Sequence, residues 1–310
     1  MANFRTNHSQ KRGRGSGKAF FKSIFLVFIA FGILFLMYLF SKDHFFGSST
    51  ENIREEKYEL PTSGKDADQR YFLPENGKGE LVHHNYYSLS YVEKYEQAEW
   101  VAYELTKKSL QVPNVDRTDW FSEDPKVNSG SAAYYDYKGS GYSRGHLAPA
   151  GDMAFNDEAM AESFFMSNIS PQKRSFNNGI WKELEELTRN WAYSNKRLFV
   201  VTGPVLNERF PSRIGKNKVA VPKEFYKVLL DLDDPEVKAI GFIIPNELSE
   251  KPIMDYALSV DKVEEITGLD FFSNMMTAQM QELTESTFST SAWPVSADKF
   301  QQRVRKWNKQ

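Results

Sequence analysis

Hydrophobic and polar positions divide this 310-residue chain into an uncharged N-terminal stretch, a polar segment and a long region of short apolar runs. The uncharged stretch covers residues 23–41 and consists largely of Phe, Leu, Ile, Val, Ala and Met. As a helix it would rise about 28 Å, close to the thickness of a bilayer core. It ends in bulky residues and lacks the small residues at which a signal peptide is cleaved. The pattern therefore predicts an uncleaved membrane anchor.

The segments that flank this stretch predict how it is oriented. Residues 1–22 carry six basic side chains and no acid, which favours a cytoplasmic tail and puts the rest of the chain in the periplasm or outside the cell. The same composition also fits a mitochondrial leader, so the mitochondrial inner membrane is the alternative location. Residues 42–80 are rich in Ser, Gly, Glu and Lys and predict a linker. A domain of residues 81–310 should follow it.

Within residues 81–310 the periodicity predicts an α+β domain. Asn156 is a suitable N-cap for a helix that continues to about Ser167. A second helix begins near Asn178, and a third covers Val260–Thr267 before Gly268. The second helix has one apolar face: Ile180, Trp181, Leu184, Leu187 and Trp191. Strands are predicted at residues 86–91, 100–105, 198–205, 225–232 and 238–244.

Composition narrows the chemistry. The chain has no cysteine, which excludes disulfide scaffolds, thiolate metal sites and cysteine nucleophiles. Six of the 39 basic side chains lie in residues 1–22, so the remainder carries 33 basic and 41 acidic side chains, a net charge of −8. Proteins that bind nucleic acid usually have a basic surface. Binding of a polyanion by this domain would therefore depend on a local group of basic residues or on a metal ion.

The candidate chemistry begins at Arg144-Gly145-His146. Glycine permits backbone conformations that other residues resist. Arg144 can bind a phosphate through two hydrogen bonds, and His146 titrates near neutral pH and can take a proton from water. A tripeptide of this kind is common, so the interpretation depends on the segments that follow it.

Two later segments complete the pattern. Asn168, Pro171 and Gln172 form the first; Phe176, Asn177, Trp181, Leu184 and Glu185 form the second. Taken singly, each asparagine also fits a helix end, and the glutamate fits a solvated helix face. In this order they resemble the DNA/RNA non-specific endonucleases of the ββα-metal (His-Me finger) type. Further similar segments lie at residues 99–105, 201–204 and 267–272, so the resemblance covers residues 81–275. It implies a ββα-metal domain with a mixed β-sheet core.

The resemblance also implies roles for individual residues. His146 would be the general base, and Asn177 the direct protein ligand of one Mg²⁺, a cation that prefers oxygen ligands and keeps much of its water. Mn²⁺ or another divalent cation is the alternative. Glu185 and Asn168 would hold the metal through water. The arginines expected to act in catalysis at the phosphate are Arg144, Arg117 and Arg189.

Two features qualify these assignments. Ser143 stands where the family most often has Asp, which we expect to alter the positioning of His146 without abolishing activity. Asn177 and Glu185 are eight residues apart, about 12 Å along an ideal helix. Glu185 can therefore share the metal with Asn177 only through water, and Asn177 should lie at the beginning of the helix.

The sequence thus predicts a membrane-anchored, Mg²⁺-dependent endonuclease that cuts DNA and RNA. Contact with phosphate more than with base edges predicts low sequence specificity. The alternatives are a catalytically silent nucleic-acid-binding module on the same fold and a phosphodiesterase for another substrate. A homodimer is compatible with each of these three functions. Four tyrosines, interpreted as packing residues or as stacking surfaces for bases, are Tyr134, Tyr135, Tyr137 and Tyr142.

Overall fold

The structure, a computed structural model, describes residues 69–209, 211–233 and 235–309. The basic tail at residues 1–22, the anchor predicted at residues 23–41 and most of the predicted linker lie outside these ranges. Within them, no helix is both long enough and apolar enough to cross a bilayer.

The described residues form eleven strands, seven α-helices and a π-helical turn. The strands are β1 (Glu80–His83), β2 (Ser88–Val92), β3 (Gln97–Thr106), β4 (Ser143–His146), β5 (Ile169–Gln172), β6 (Arg197–Pro204), β7 (Arg213–Ile214), β8 (Val219–Ala220), β9 (Glu224–Asp231), β10 (Lys238–Pro245) and β11 (Ala257–Leu258). The helices are α1 (Lys107–Leu110), α2 (Asp157–Glu162), α3 (Arg174–Phe176), α4 (Lys182–Asn195), α5 (Val260–Thr267), α6 (Ala278–Glu285) and α7 (Ala297–Arg305). The π-helical turn is Asn177–Trp181. Short 3₁₀ turns cover Gln69–Phe72, Glu93–Tyr95, Tyr134–Asp136, Met166–Asn168, Ile253–Tyr256, Thr290–Ala292 and Trp307–Lys309.

The main sheet has seven strands in the order β1-β2-β3-β6-β9-β10-β11. Every neighbouring pair in it is antiparallel. The predicted mixed sheet is therefore wrong for the described strands, although the α+β class is confirmed. Strands that follow one another closely pair as hairpins, and the long segment between β3 and β6 returns the chain to the sheet in the opposite direction. That long segment contains the separate pair β4-β5, which carries the motif residues.

The core lies on both faces of the sheet. On one face the π-helical turn and α4 pack through the five residues predicted from the periodicity, all of them buried: Ile180, Trp181, Leu184, Leu187 and Trp191. On the other face Phe199 of β6 contacts Phe72, with 5.4 Å between ring centroids. Since both faces are covered, β6 is buried along almost its whole length and reads as a continuous apolar run. The central strands therefore form a rigid support beneath α4.

Most predicted elements are present with shifted ends. The strand predicted at 86–91 is Ser88–Val92, and α5 has the predicted bounds, with Gly268 in a left-handed conformation as its C-cap. Asn156 caps α2 by accepting from the Ala159 N–H, but the helix ends at Glu162, five residues before the predicted end. The chain there turns into a short 3₁₀ helix that leads directly into β5.

The folded domain begins earlier than residue 81. Phe72 and Leu73 are buried, and Glu75 forms an antiparallel bridge with Asp270. These residues fall in the predicted linker of residues 42–80. Because the buried run of residues 72–74 is short and polar residues surround it, the hydrophobic pattern did not separate this segment from a linker.

Candidate active site

The Arg-Gly-His motif lies on β4, which pairs with β5 in antiparallel register. His146 ends β4 opposite Ile169, and Gly145 lies opposite Ser170. A Cβ atom on Gly145 would be 2.1 Å from the side chain of Gln172, so a larger residue would push the two strands apart. Gly145 is not among the residues with positive φ. The expectation of an unusual backbone conformation is therefore wrong. Glycine is required at this position because a larger side chain would collide with Gln172.

His146 is enclosed by aromatic rings. Its imidazole lies edge to face against Phe164 with 4.9 Å between centroids, and 5.6 Å from Phe121. Its Nε2 atom is buried and has no hydrogen-bond partner among the described residues. Burial first, then the nearby charges of Arg117 and Arg144, lower the pKa of His146 to about 3. The imidazole is therefore neutral at physiological pH and retains the capacity to accept a proton.

Arg144 is fixed between two aromatic rings. Its guanidinium carbon lies 4.3 Å from the ring centroid of Phe121 and 4.4 Å from that of Tyr134. Stacking of this kind fixes the plane of the guanidinium while leaving its N–H edge available for hydrogen bonds. Since Phe121 also contacts His146, the stack holds the Arg144 guanidinium beside the candidate base.

Arg117 forms the second stack at His146. Its guanidinium carbon is 4.9 Å from the ring centroid of Phe164, and its Nε donates to Asp119 Oδ1 at 2.7 Å. Half of the side chain is exposed, which leaves it accessible to a ligand. Its charge acts on the pKa of both His146 and Glu185. The structure thus brings together three of the predicted residues, with Arg117 electrostatically coupled to the other two.

Asn177 lies in the π-helical turn of residues Asn177–Trp181, before α4 begins at Lys182. The turn has a kink at Gly179, where φ is −101° and ψ is −111°. Asn177 and Glu185 are therefore not part of one straight helix, and Asn177 lies just before the helix that carries Glu185, as expected from the sequence. The Asn177 side chain is half-buried and makes no hydrogen bond to any other described residue. An amide in this state has an oxygen available for a ligand.

Glu185 faces a group of buried charges. Burial raises the pKa of Glu185 to about 7. The charges of Arg189 and Lys227 lower this pKa, and the charge of Asp152 raises it by a smaller amount. Arg189 donates to Asp152 Oδ1 at 2.7 Å, and Tyr103 donates to Oδ2 of the same carboxylate at 2.7 Å. The predicted phosphate contact of Arg189 therefore competes with an ion pair. In this arrangement Arg189 links Asp152 to the helix that carries Glu185.

Lys227 is a functional candidate that the sequence reasoning missed. It lies in the middle of β9, is fully buried, and its Nζ has no hydrogen-bond partner among the described residues. Burial lowers its pKa to about 8, while Asp152 and Glu185 act in the opposite direction. The signal available in the sequence was a lysine within an otherwise apolar core strand, a residue almost never fully buried unless paired.

Asn168 is completely buried and bonded to the backbone. Its Oδ1 accepts from the Ala148 N–H at 2.8 Å, and its Nδ2 donates to the carbonyls of Ala148 at 2.9 Å and Ser163 at 2.8 Å. These bonds engage both ends of the amide. They favour a role in holding the segment after His146 over the predicted contact with metal-bound water.

The residues present suit a hard divalent cation. The half-buried Asn177 amide and Glu185 carboxylate make no hydrogen bonds to other described residues, so their oxygens are free to ligate. Oxygen donors without thiolate or imidazole are the set that Mg²⁺ prefers. The site residues Asn177 and Glu185 therefore fit a magnesium ion.

Two other groups of titratable residues are separate from this site. His84 is buried in the core and its Nε2 is hydrogen-bonded to Asp124 Oδ2 at 2.8 Å, which gives this histidine a structural role. Among residues the structure describes, one set of three acids has converging ligand atoms, within 4.8 Å of one another: Asp261, Glu264 and Glu285. These acids lie on α5 and α6 and include none of the predicted site residues.

A pocket of about 490 Å³ opens beside the motif. Arg117 and Arg144 line it, together with Ser143, which occupies the position of the family's Asp. Of the four tyrosines, Tyr137 is buried and donates to the Ile169 carbonyl, so it has a packing role. Tyr137 also lines the pocket, together with Tyr134 and Tyr142, and Tyr135 is exposed next to Tyr134.

Comparison with known proteins gives one family. The family model described as DNA/RNA non-specific endonuclease matches residues 68–278. The chain is 34% identical over 229 residues to the mitochondrial nuclease EXOG of Danio rerio, covering 69% of this chain and 66% of that protein, just under two thirds. It is 31% identical over 220 residues to human mitochondrial endonuclease G, covering 67% and 73%.

A solved structure agrees with the sequence matches. A chain in the crystal structure of the EndoG/EndoGI complex matches with a TM-score of 0.62 and 30% identity, over 70% of this chain and 95% of that one. The matched family region contains every residue of the site described above. This chain therefore belongs to the DNA/RNA non-specific endonuclease family.

Proposed function

We propose that the protein is a metal-dependent endonuclease that hydrolyses phosphodiester bonds of DNA and RNA, with His146 as general base. The observation that carries the proposal is the environment of His146: a buried, neutral imidazole with an unpartnered Nε2, placed between two arginines. A general base must be unprotonated at the working pH and close to the group that binds the substrate. The lowered pKa supports the first condition, and the contact of Phe121 with both His146 and Arg144 supports the second.

Each residue of the site has a separate role in this reaction. Arg144 and Arg117 bind the phosphate and place phosphorus near His146, which takes the proton of the attacking water. As the imidazole gains that proton, the bound phosphate offsets the two positive charges that disfavour an imidazolium in the free protein. Asn177 would hold Mg²⁺ directly and Glu185 would hold it through water, and the cation would then supply charge stabilisation at the phosphate. Asn168 acts by holding the backbone that follows His146.

Low sequence specificity is part of the proposal. The basic groups at the site are arginines placed to bind phosphate, which carries no sequence information. The relatives are named nucleases and endonucleases, which supports nucleic acid as the substrate over a small phosphodiester. Mg²⁺ as the working cation, and a homodimer as the assembly, stay predictions.

We also propose that residues 23–41 anchor the enzyme, with the domain outside the cytoplasm. The support is the uncharged 19-residue run and the acid-free basic tail before it. Two relatives are named as mitochondrial, which keeps the mitochondrial alternative in place. Carbonate extraction of membranes from cells that express the full chain or a variant lacking residues 23–41 tests the anchor. Release of the full chain into the soluble fraction would overturn it.

The decisive experiment compares the full-length protein, purified in mild detergent, with its His146→Ala variant on supercoiled plasmid and on RNA. Cleavage by the wild type should require Mg²⁺, stop with EDTA and fall by about three orders of magnitude in the variant. His83→Ala is the matched control, because His83 is the exposed histidine of the same domain. A folded wild type that binds nucleic acid and never cuts would support the silent binding module instead.

A further inference from the structure

The pocket beside His146 combines positive charge with aromatic rings. Arg117, Lys138 and Arg144 line it, with Asp119 as its acidic side chain. Rings of Tyr134 and Tyr142 form part of the same lining. A phosphate alone needs only the cations, so the rings indicate a second feature of the ligand.

Two further rings are exposed close to this pocket. Trp120 is 84% exposed, and both its neighbours in the chain, Asp119 and Phe121, line the pocket. Tyr135 is 75% exposed, and its ring is 5.4 Å from that of Tyr134. Large rings this exposed contribute little to folding and mark contact surfaces when they occur together.

The backbone conformation at Asp119 accompanies the outward position of Trp120. Asp119 has a φ of 53°, a left-handed conformation that is uncommon for a residue other than glycine. After this turn Phe121 packs inward against His146 and Arg144, while Trp120 projects into solvent. The same short segment therefore fixes the catalytic stack and presents a free indole. The local strain maintains an exposed ring that the packing of the domain does not use.

Aromatic rings beside a cationic groove bind nucleic acid by stacking on bases that are free of a partner strand. In a duplex both faces of each base are covered by the neighbouring bases, so protein rings can stack on a base only at ends and gaps. The chain after residue 22 has a net charge of −8, which makes general attraction to phosphate weak. Stacking depends little on the net charge of the protein, so it would increase the affinity for nucleic acid even though the general electrostatic attraction is weak.

Resting on the nuclease function proposed above, we propose that Trp120 and Tyr135 are base-stacking residues that make single-stranded nucleic acid the preferred substrate. The unpaired bases next to the scissile phosphate lie against these rings, while Arg144 and Arg117 hold the phosphate itself. Trp120 and Tyr135 therefore determine strand preference and take no part in the bond-breaking step.

The test measures binding separately from cleavage. Full-length His146→Ala protein is titrated against a fluorescently labelled 20-nucleotide single strand and against the duplex of the same sequence. Adding Trp120→Ala or Tyr135→Ala should weaken single-strand binding by about tenfold and duplex binding by less than about twofold. Trp120→Phe should recover most of the loss. Tyr193→Ala, which removes an exposed tyrosine on α4, is the matched control and should change neither.

Equal losses on the two ligands, or no loss on the single strand, would overturn the proposal. In the otherwise wild-type protein, the ratio of single-strand to duplex cleavage at subsaturating substrate should fall by the same factor as the binding ratio. A wild type that never cuts would remove the nuclease function, and the binding comparison in His146→Ala would still decide whether the rings stack on bases.

Discussion

The imidazole of His146 meets the ring of Phe164 edge to face, with 4.9 Å between centroids and 87° between the ring planes. This contact replaces water around the candidate base with hydrocarbon, and burial is the largest cause of its lowered pKa. Two arginines add to the effect in the free protein. Binding of a phosphate would reverse their contribution, so the ability of His146 to hold a proton increases only when the substrate is in place.

Replacement of Arg144 by Gln should raise the pKa of His146 from its value of about 3, because it removes a positive charge that disfavours the imidazolium. The measurement is a titration of the metal-free protein, with isotope-labelled histidine, followed by NMR. The control Arg174→Gln changes an exposed arginine of α3 that does not contribute to the His146 pKa, and should leave the titration unchanged. A lower or unaltered pKa in Arg144→Gln would contradict the electrostatic account.

The Asn168→Ala variant should be destabilised by about 3 kcal/mol, because it leaves buried polar groups of Ala148 and Ser163 without their partners. Urea unfolding at neutral pH measures this change. In the fraction that remains folded, the Mg²⁺ concentration for half-maximal cleavage should match that of the wild type. A large rise in that concentration with unchanged stability would instead support the water-shell role predicted from the sequence.

In contrast to Asn168→Ala, the Asn177→Ala variant should keep its stability and need more Mg²⁺ for cleavage. The side chain makes no hydrogen bond to other described residues, so its loss should change the free energy of unfolding by less than about 1 kcal/mol. Removal of the direct ligand should raise the Mg²⁺ requirement by at least about tenfold. Asn178→Ala, which alters the adjacent half-buried asparagine, is the matched control. A variant with wild-type Mg²⁺ dependence would show that Asn177 is not the ligand.

The parts of the fold that the sequence predicted are those that local periodicity determines. The apolar face shared by the π-helical turn and α4 repeats at helical spacing, so its five core residues could be identified before any partner was known. Strand pairing is different, because a buried apolar run has the same appearance whichever direction its neighbour follows. The mixed sheet was therefore predicted where every pair is antiparallel. Contacts between distant segments decide that direction.

The site residues also differ in whether local sequence or contacts between distant segments identify them. The roles of His146 and Asn177 were predicted from short motifs that resemble those of the endonuclease family. Lys227 was not identified, because three strands separate it from Glu185 in the sequence and only the fold brings the two charges close enough to interact. Gly145 was identified for the wrong reason, since the clash with Gln172 depends on the pairing of β4 with β5.

Outside the site, Glu285 should make the stability of the domain depend on pH. It is 2% exposed at the end of α6, and its Oε1 has no hydrogen-bond partner among the described residues. Burial, and next the charge of Glu264, raise its pKa from 4.5 to about 9. The folded chain therefore binds this proton more tightly than the unfolded chain. Its contribution is fully present below pH 4.5 and is lost as the pH rises from 4.5 to about 9.

Glu285→Gln mimics the protonated form at every pH, so it should be more stable than the wild type at pH 9 and similar to it at pH 5. We expect a rise in Tm of about 3 °C or more at the higher pH, measured by thermal unfolding in matched buffers. Glu282→Gln, on the exposed face of the same helix, should show no such pH-dependent difference. A Glu285→Gln protein that is less stable than the wild type at pH 9 would mean that the carboxylate is ionised and held by a positive charge. The raised pKa would then be wrong.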